Sequence, residues 1–275
     1  MNLHNPAGPA DSAPPVLKRD RDAEIAILTL DRPQARNSLS EALLAALSQA
    51  FAEIAADKSV RAVVLAANGP AFCAGHDLKE LTSRRDDADG GRAYFKHIMT
   101  TCSAMMQQIV SLPQPVIAAV QGPASAAGCQ LVATCDLAIA AETAKFATPG
   151  VDIGLFCSTP MVALSRNVAR KHAMEMLLTA DMVEAKRAAA IGLVNRVVPA
   201  GEELKAALAL AHRIASKSSY TLKVGKQAFY RQLEMGLAEA YAYAAEVMTE
   251  NMMARDANEG ICAFIEKRKP AWEDR

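Results

Sequence analysis

Three short stretches of this chain are apolar at nearly every position: Arg61-AVVLAA, Pro115-VIAAV and Leu137-AIAAE. A strand with one wet face alternates apolar and polar residues, so runs of this kind describe strands buried on both faces, as in a parallel sheet sandwiched between helices. The intervening sequence supplies the helices. Ser38 with Glu41 has the pattern of a capping box, and Leu43, Leu47, Phe51 and Ile54 share one face of the helix that follows. Residues from about Tyr94 to Ile109 and the short stretch Cys129-QLVAT also read as helical, and Ala23 to Leu30 as a strand closed by Asp31-Arg32-Pro33. Strands alternating with helices give an α/β class, with the fold expected to begin near Ile25.

Beyond Thr159 the pattern changes to Ala- and Met-rich helices, among them 202–216, 220–232 and 237–248. No linker sets them apart, so the expected organisation is a loosely attached, Pro- and Ala-rich arm over residues 1–18, an α/β core over 19–200, and a helical region over 201–275 that belongs to the same unit. These helices carry more apolar surface than one sheet covers, which predicts contacts with other subunits.

The 30 basic and 30 acidic side chains cancel, so no general field draws in nucleic acid or an anionic membrane, and any polyanion needs a local basic patch. No apolar run reaches the roughly 20 residues of a membrane helix, and the first residues read as neither a signal peptide nor a convincing transit peptide. The six cysteines form no Cys-x-x-Cys pair, which suggests reduced core thiols and a cytoplasmic setting. Neither a Gly-x-Gly-x-x-Gly nor a Gly-Lys-Ser/Thr motif is present, and no His, Cys and carboxylate cluster has metal-ligand spacing. The expectation is no metal, no redox cofactor, no nucleic acid and no membrane.

Two loops follow buried strands and present small residues beside backbone donors. The first is Gly69-PAFCAGHDLKE, where Gly75 permits a tight turn ahead of the His76 N–H. The second is Gly122-PASAAGCQ, where a helix begins with unsatisfied N–H groups. Read from the residues alone, they are either two tight turns that pack well or a two-donor oxyanion hole.

The strings Asn37-SLS, Ala71-FCAGHDLKE, Val120-QGPASAAGCQLVATCDLAIA, Phe146-ATPGVDIGL, Ile191-GLVNRVVP and Glu259-GICAFIEKRKP stand in the order and spacing of the enoyl-CoA hydratase/isomerase (crotonase) family. The chain resembles that family from about Ile25 to Trp272. The resemblance implies the crotonase fold, an α/β spiral of ββα repeats with a helical C-terminal trimerisation region, and an acyl-CoA thioester as the partner, with coenzyme A entering as part of the substrate. It further implies that the N–H groups of His76 and Ala127 form the oxyanion hole, and that Asp77, Leu78 and Lys79 line the acyl-CoA site. By the same resemblance Ala35 and Arg36 meet the adenine, Phe264 and Lys267 reach the CoA end, and the assembly is a homotrimer or a hexamer of two trimers.

Against the hydratase pattern two positions are changed. True hydratases resemble one another in using two glutamates, one to activate water and one to protonate carbon; the matching residues here are Gln130 and Gly150. A positioned acid or base contributes about 10²- to 10⁴-fold, and one oxyanion donor about 10²- to 10³-fold. The expectation is therefore a thioester-polarising site with weak hydration, either a lyase or isomerase of other chemistry or a non-catalytic acyl-CoA binder. Asp152 is a candidate replacement base or a solvated turn residue. His76 is a candidate titrating group, Cys129 and Cys157 are core thiols or site thiols, and Ser125 is a nucleophile only if a histidine pairs with it.

Overall fold

The computed structural model describes residues 15–275. The arm expected over residues 1–18 falls outside the described residues up to residue 14. In chain order the elements are β1 (Leu17–Asp22), β2 (Ile25–Leu30), α1 (Glu41–Ala56), β3 (Ala62–Ala67), α2 (Leu78–Thr82), α3 (Arg92–Ser111), β4 (Val116–Val120), β5 (Ala124–Ser125), α4 (Ala127–Thr134), β6 (Leu137–Ala141) and β7 (Lys145–Ala147). They continue with α5 (Pro160–Asn167), α6 (Arg170–Thr179), β8 (Val183–Glu184), α7 (Ala185–Ala190), β9 (Arg196–Val198), α8 (Glu203–Ala215), α9 (Ser219–Gln232), α10 (Leu237–Met253) and α11 (Arg255–Ile265). Short 3-10 turns cover Pro33–Ala35 and Pro149–Ile153.

The main sheet has the order β1-β2-β3-β4-β6-β9, parallel throughout except for β1. The mixed α/β architecture is the one the apolar strands demand. On β3, Val63 and Leu65 face a core built with Phe51, Phe72 and Met105, while Ala62, Val64 and Ala66 face Ala207, Ala211 and Ala215 of α8. Both faces are covered, and that is why neither set could be polar.

Two local expectations are corrected. The fold starts at Leu17 rather than near Ile25, because β1 forms an antiparallel edge strand on β2; its sequence LKRDRD is charged, as edges that must resist pairing with other chains usually are. The cap of α1 is Ser40 rather than Ser38: the Ser40 hydroxyl accepts the Leu43 N–H at 3.2 Å, because the helix begins only at Glu41. Ser38 is thereby free to serve the site described below.

The C-terminal helices divide in two. α8 seals one face of the sheet, and α9 docks through Lys226 and Tyr230, which both bond to Asp136. Lys226 Nζ donates to Asp136 Oδ2 at 2.6 Å and to the carbonyls of Ile109 and Gln114. Asp136 also accepts the Val116 N–H at 2.7 Å and the Tyr230 hydroxyl at 2.9 Å, so the charge pair has the extra donors that a desolvated ion pair needs. α10 buries no side chain within the chain and α11 only Asp256 and Ala263. Leu237, Met253 and Phe264 on these helices are 77%, 79% and 86% exposed. Among the described residues, no helix is long and apolar enough to cross a membrane.

Candidate active site at the ends of β3 and β4

Ligands of open α/β sheets gather at the carboxyl ends of the strands. β3 and β4 are adjacent and parallel, so the loops that leave them, 68–77 and 121–126, emerge side by side. They are stitched along their length. The Phe72 N–H donates to the Pro123 carbonyl and the Ser125 N–H to the Cys73 carbonyl, both at 2.9 Å. Gly122 lies against the Pro70 carbonyl, where an added methyl carbon would sit 2.8 Å away, and a methyl at Gly128 would collide with the Cys73 carbonyl. Gly75, at φ +93°, leaves room for a Cβ only 3.3 Å from the Ala127 nitrogen. These positions are glycine because the two backbones touch.

The direction of each donor follows from its pairing. Leu39 donates to the Gly75 carbonyl at 2.7 Å and accepts from Asp77 N–H at 3.3 Å, a parallel bridge that turns the intervening His76 N–H the opposite way. Ala127 is the first residue of α4, so its N–H has no intrahelical acceptor. Among the described residues neither N–H donates to a protein acceptor. Ala126 before it adopts φ +50° and ψ −118°, a conformation costly for a residue with a Cβ by about 1–3 kcal/mol. Its own N–H bond to the Ala147 carbonyl, 2.9 Å, helps hold it there.

Several residues beside the two donors are buried. Burial pushes the Cys129 thiol up to about 12 and the Cys157 thiol above its usual range, so both stay protonated. Burial also lowers the His76 imidazole below its ordinary value; both ring nitrogens are buried without a partner, and the ring is neutral near neutral pH. Gln130 on α4 is buried, and its Oε1 has no hydrogen-bond partner. Gly150 is buried for want of space: a Cβ there would lie 2.7 Å from the Leu155 carbonyl oxygen and 2.9 Å from Cys157 Sγ. Where a glutamate stem would run, the 155–157 segment stands instead. Asp152 is exposed on the adjoining 3-10 turn and accepts no side-chain hydrogen bond there.

Asp77 has a structural task. Its Oδ1 accepts the Lys79 N–H at 3.1 Å and caps α2, and its Oδ2 meets Arg32 at 3.2 Å and the Ser38 hydroxyl at 3.1 Å. Burial works to raise this carboxyl, but the bonds from Ser38, Arg32 and the helix N–H groups outweigh it and hold it below the usual range. Leu78 and Lys79 are exposed at the start of α2, and the Arg36 carbonyl accepts the Ala74 N–H at 3.0 Å, which sets Ala35 and Arg36 against the first loop. Phe264 and Lys267 are exposed at the end of α11, which packs on α9 and α10.

Asn37 opens one of the strings that carry the resemblance, but the sequence assigned it no role. It is fully buried; its Oδ1 accepts the Arg32 N–H, and its Nδ2 donates to the carbonyls of Asn68 and Ala71 at 2.8 and 2.9 Å. It ties the 3-10 turn to the first loop, and only its position between a strand and a capped helix hinted at this. The serine-nucleophile reading fails on geometry. His97 pairs with Glu41, His172 with Arg187, His212 with Asp22, and the His76 ring has no partner, so among the described residues no histidine reaches Ser125. Among them, too, no group of three His, Cys, Asp or Glu side chains is placed to hold a metal ion.

The model of the enoyl-CoA hydratase/isomerase family matches residues 20–275. The human protein called enoyl-CoA hydratase domain-containing protein 3, mitochondrial, is 45% identical over 267 residues, covering 97% of this chain and 86% of its own. Among solved structures, an enoyl-CoA hydratase of Mycobacterium smegmatis superposes with a TM-score of 0.89 at 52% identity, covering 94% of this chain and 99% of its own. The crystal structure of the human domain-containing protein 3 also gives 0.89, at 44% identity, covering 94% and 100%. The human relative and its rat and mouse counterparts are named as mitochondrial, which overturns the cytoplasmic setting expected from the cysteines. Free buried thiols report a reducing surrounding, and the cytoplasm is not the only compartment that provides one.

Proposed function

We propose, for a chain that belongs to the enoyl-CoA hydratase/isomerase family, that it binds acyl-CoA thioesters and polarises the thioester carbonyl with the His76 and Ala127 N–H groups, while hydrating enoyl thioesters poorly. What supports this is the close approach of Gly75 to the start of α4, where a Cβ would lie 3.3 Å from the Ala127 nitrogen, together with two N–H groups that donate to no protein acceptor among the described residues. Two fixed donors aimed at a carbonyl oxygen stabilise the charge that collects there when the thioester enolises or is attacked. Hydration needs more: a base for water and an acid for carbon. Gln130 exchanges no proton near neutrality, Gly150 has no side chain, and Asp152 is solvated rather than held against the site.

Arg36, Lys79 and Lys267 supply the local positive charge that the CoA phosphates need in a chain of zero net charge. Lys267 and Phe264 would act from a neighbouring subunit, since copies of this chain covering the apolar faces of α10 and α11 explain why those faces are exposed here. We infer a trimer or a pair of trimers, which light scattering at micromolar concentration tests; a stable monomer refutes it.

The function is tested by calorimetric titration with butyryl-CoA and, in parallel, by the ultraviolet assay of crotonyl-CoA hydration. Binding with turnover at least about 10³-fold below that of a two-glutamate hydratase is expected. Failure of any acyl-CoA to bind, or hydration at an ordinary rate, refutes the reading.

A further inference from the structure

We propose that the protein carries a second small-molecule site at the opposite end of the sheet, one that takes a doubly negative ligand bearing a hydroxyl. A cavity of about 790 Å³, within the size range of small-molecule sites, lies where β3 and β4 begin, and its wall includes Lys58, Arg61, Gln114, Tyr220, Lys223 and Asp274. Arg61 immediately precedes β3, whose 6 residues at about 3.3 Å each hold the cavity roughly 20 Å from the donor loops. None of these residues belongs to the acyl-CoA site described above.

The acceptor in this wall is Gln114, which is only 7% exposed. Its Nε2 donates to the carbonyls of Ile54, Asp57 and Val60 at 2.8, 3.3 and 3.3 Å. Carbonyls accept and never donate, so the amide nitrogen must face them, and Oε1 is left buried without a partner. An unmet buried acceptor is costly, and a ligand donor seated in the cavity restores what burial removed. The cations supply the other half. Asp274 answers Arg61 at 2.9 Å, whereas Lys58 and Lys223 are exposed and pair with no carboxylate among the described residues. α9 also begins at this wall. Asp274 accepts the Ser219 N–H at 2.8 Å and the Ser218 hydroxyl accepts the Thr221 N–H at 3.2 Å, but the Tyr220 N–H meets no protein acceptor among the described residues. Two unpaired ammonium groups and a free N–H at a helix start suit a dianion, and one unmet acceptor suits a hydroxyl. Hydroxy dicarboxylates and phosphate monoesters of small polyols share that chemistry.

The test is calorimetric titration of the full chain at low salt with malate, succinate, glycerol 3-phosphate and propyl phosphate. Malate or glycerol 3-phosphate is expected to bind with a Kd of about 0.1–1 mM, and the tighter of the two identifies the anion as carboxylate or phosphate. Succinate and propyl phosphate, which lack hydroxyls, are expected to bind about fivefold more weakly. Combining Lys58→Met with Lys223→Met, both at exposed positions, is expected to weaken the preferred ligand about tenfold or more while leaving Tm and butyryl-CoA affinity unchanged. No binding of either hydroxylated probe below about 10 mM, equal affinity without the hydroxyl, or unchanged affinity in the double variant overturns the proposal. So does a loss of butyryl-CoA affinity in a double variant that keeps its Tm, since the cavity would then belong to the acyl-CoA site.

Discussion

Replacing Gly128 with alanine tests the joint between the two loops. The added methyl meets the Cys73 carbonyl, a backbone atom that already accepts the Ser125 N–H at 2.9 Å, so relief requires one loop to move off the other. Overpacking of this kind costs about 1–3 kcal/mol, and loss of the Ser125 bond adds about 1 kcal/mol. Against this stands the gain from alanine over glycine inside a helix, about 1 kcal/mol. The clash wins, by a net loss of about 1–3 kcal/mol, which for a chain of this size lowers Tm by roughly 3–10 °C. Gly225 in α9 is the control with the opposite sign: a Cβ there meets nothing within 4 Å, so Gly225→Ala is expected to stabilise by about 0.5–1 kcal/mol. Scanning calorimetry reads both, and butyryl-CoA titration reads the site, where Gly128→Ala weakens binding about tenfold or more as the Ala127 N–H is displaced. A Gly128→Ala protein with unchanged Tm and affinity would refute the claim that backbone contact shapes the donor pair.

Three other outcomes follow from the geometry. Lys226→Met leaves Asp136 buried without its cation and is expected to cost about 3–5 kcal/mol in urea unfolding, with much of the loss recovered by adding Asp136→Asn; an additive double variant would argue against coupling. Gln130→Glu with Gly150→Glu is expected not to restore crotonyl-CoA hydration and to destabilise the protein, because the second side chain enters space held by Leu155 and Cys157; a robust hydratase would disprove that blockade. His212 is raised above its ordinary value first by its hydrogen bond to Asp22, so its contribution is complete below the unfolded value and fades as pH climbs through the folded one. The pair is well exposed, so the contribution stays below about 1 kcal/mol, and the Tm gap between the natural chain and Asp22→Asn is expected to be open at pH 5.5 and closed by pH 8.5.

The sequence was most readable where one physical cause acts alone. Unbroken apolar runs located β3, β4 and β6, because burial on both faces leaves no other composition. The glycines at 75, 122 and 128 marked the two loops, but whether the loops meet depends on adjacent parallel strands about fifty residues apart, which local pattern does not encode. β1 was missed because an edge strand needs charges rather than apolar alternation, and the cap was misplaced by two residues because Ser38 and Ser40 are equally good capping side chains. Asn37 was invisible as a linchpin since two of its three bonds go to backbone groups more than thirty residues away. That position 150 is glycine was plain, yet only the fold shows how closely the Leu155 carbonyl and Cys157 pack against it.

Because β3 and β4 must pair in parallel before their loops can meet, competence belongs to a late stage in the life of the chain. Local helices form within microseconds, whereas strands joined across a long crossover wait on a costly loop closure. On the proposed function, a refolding sample should therefore regain its helical circular dichroism before it regains affinity for a thioester.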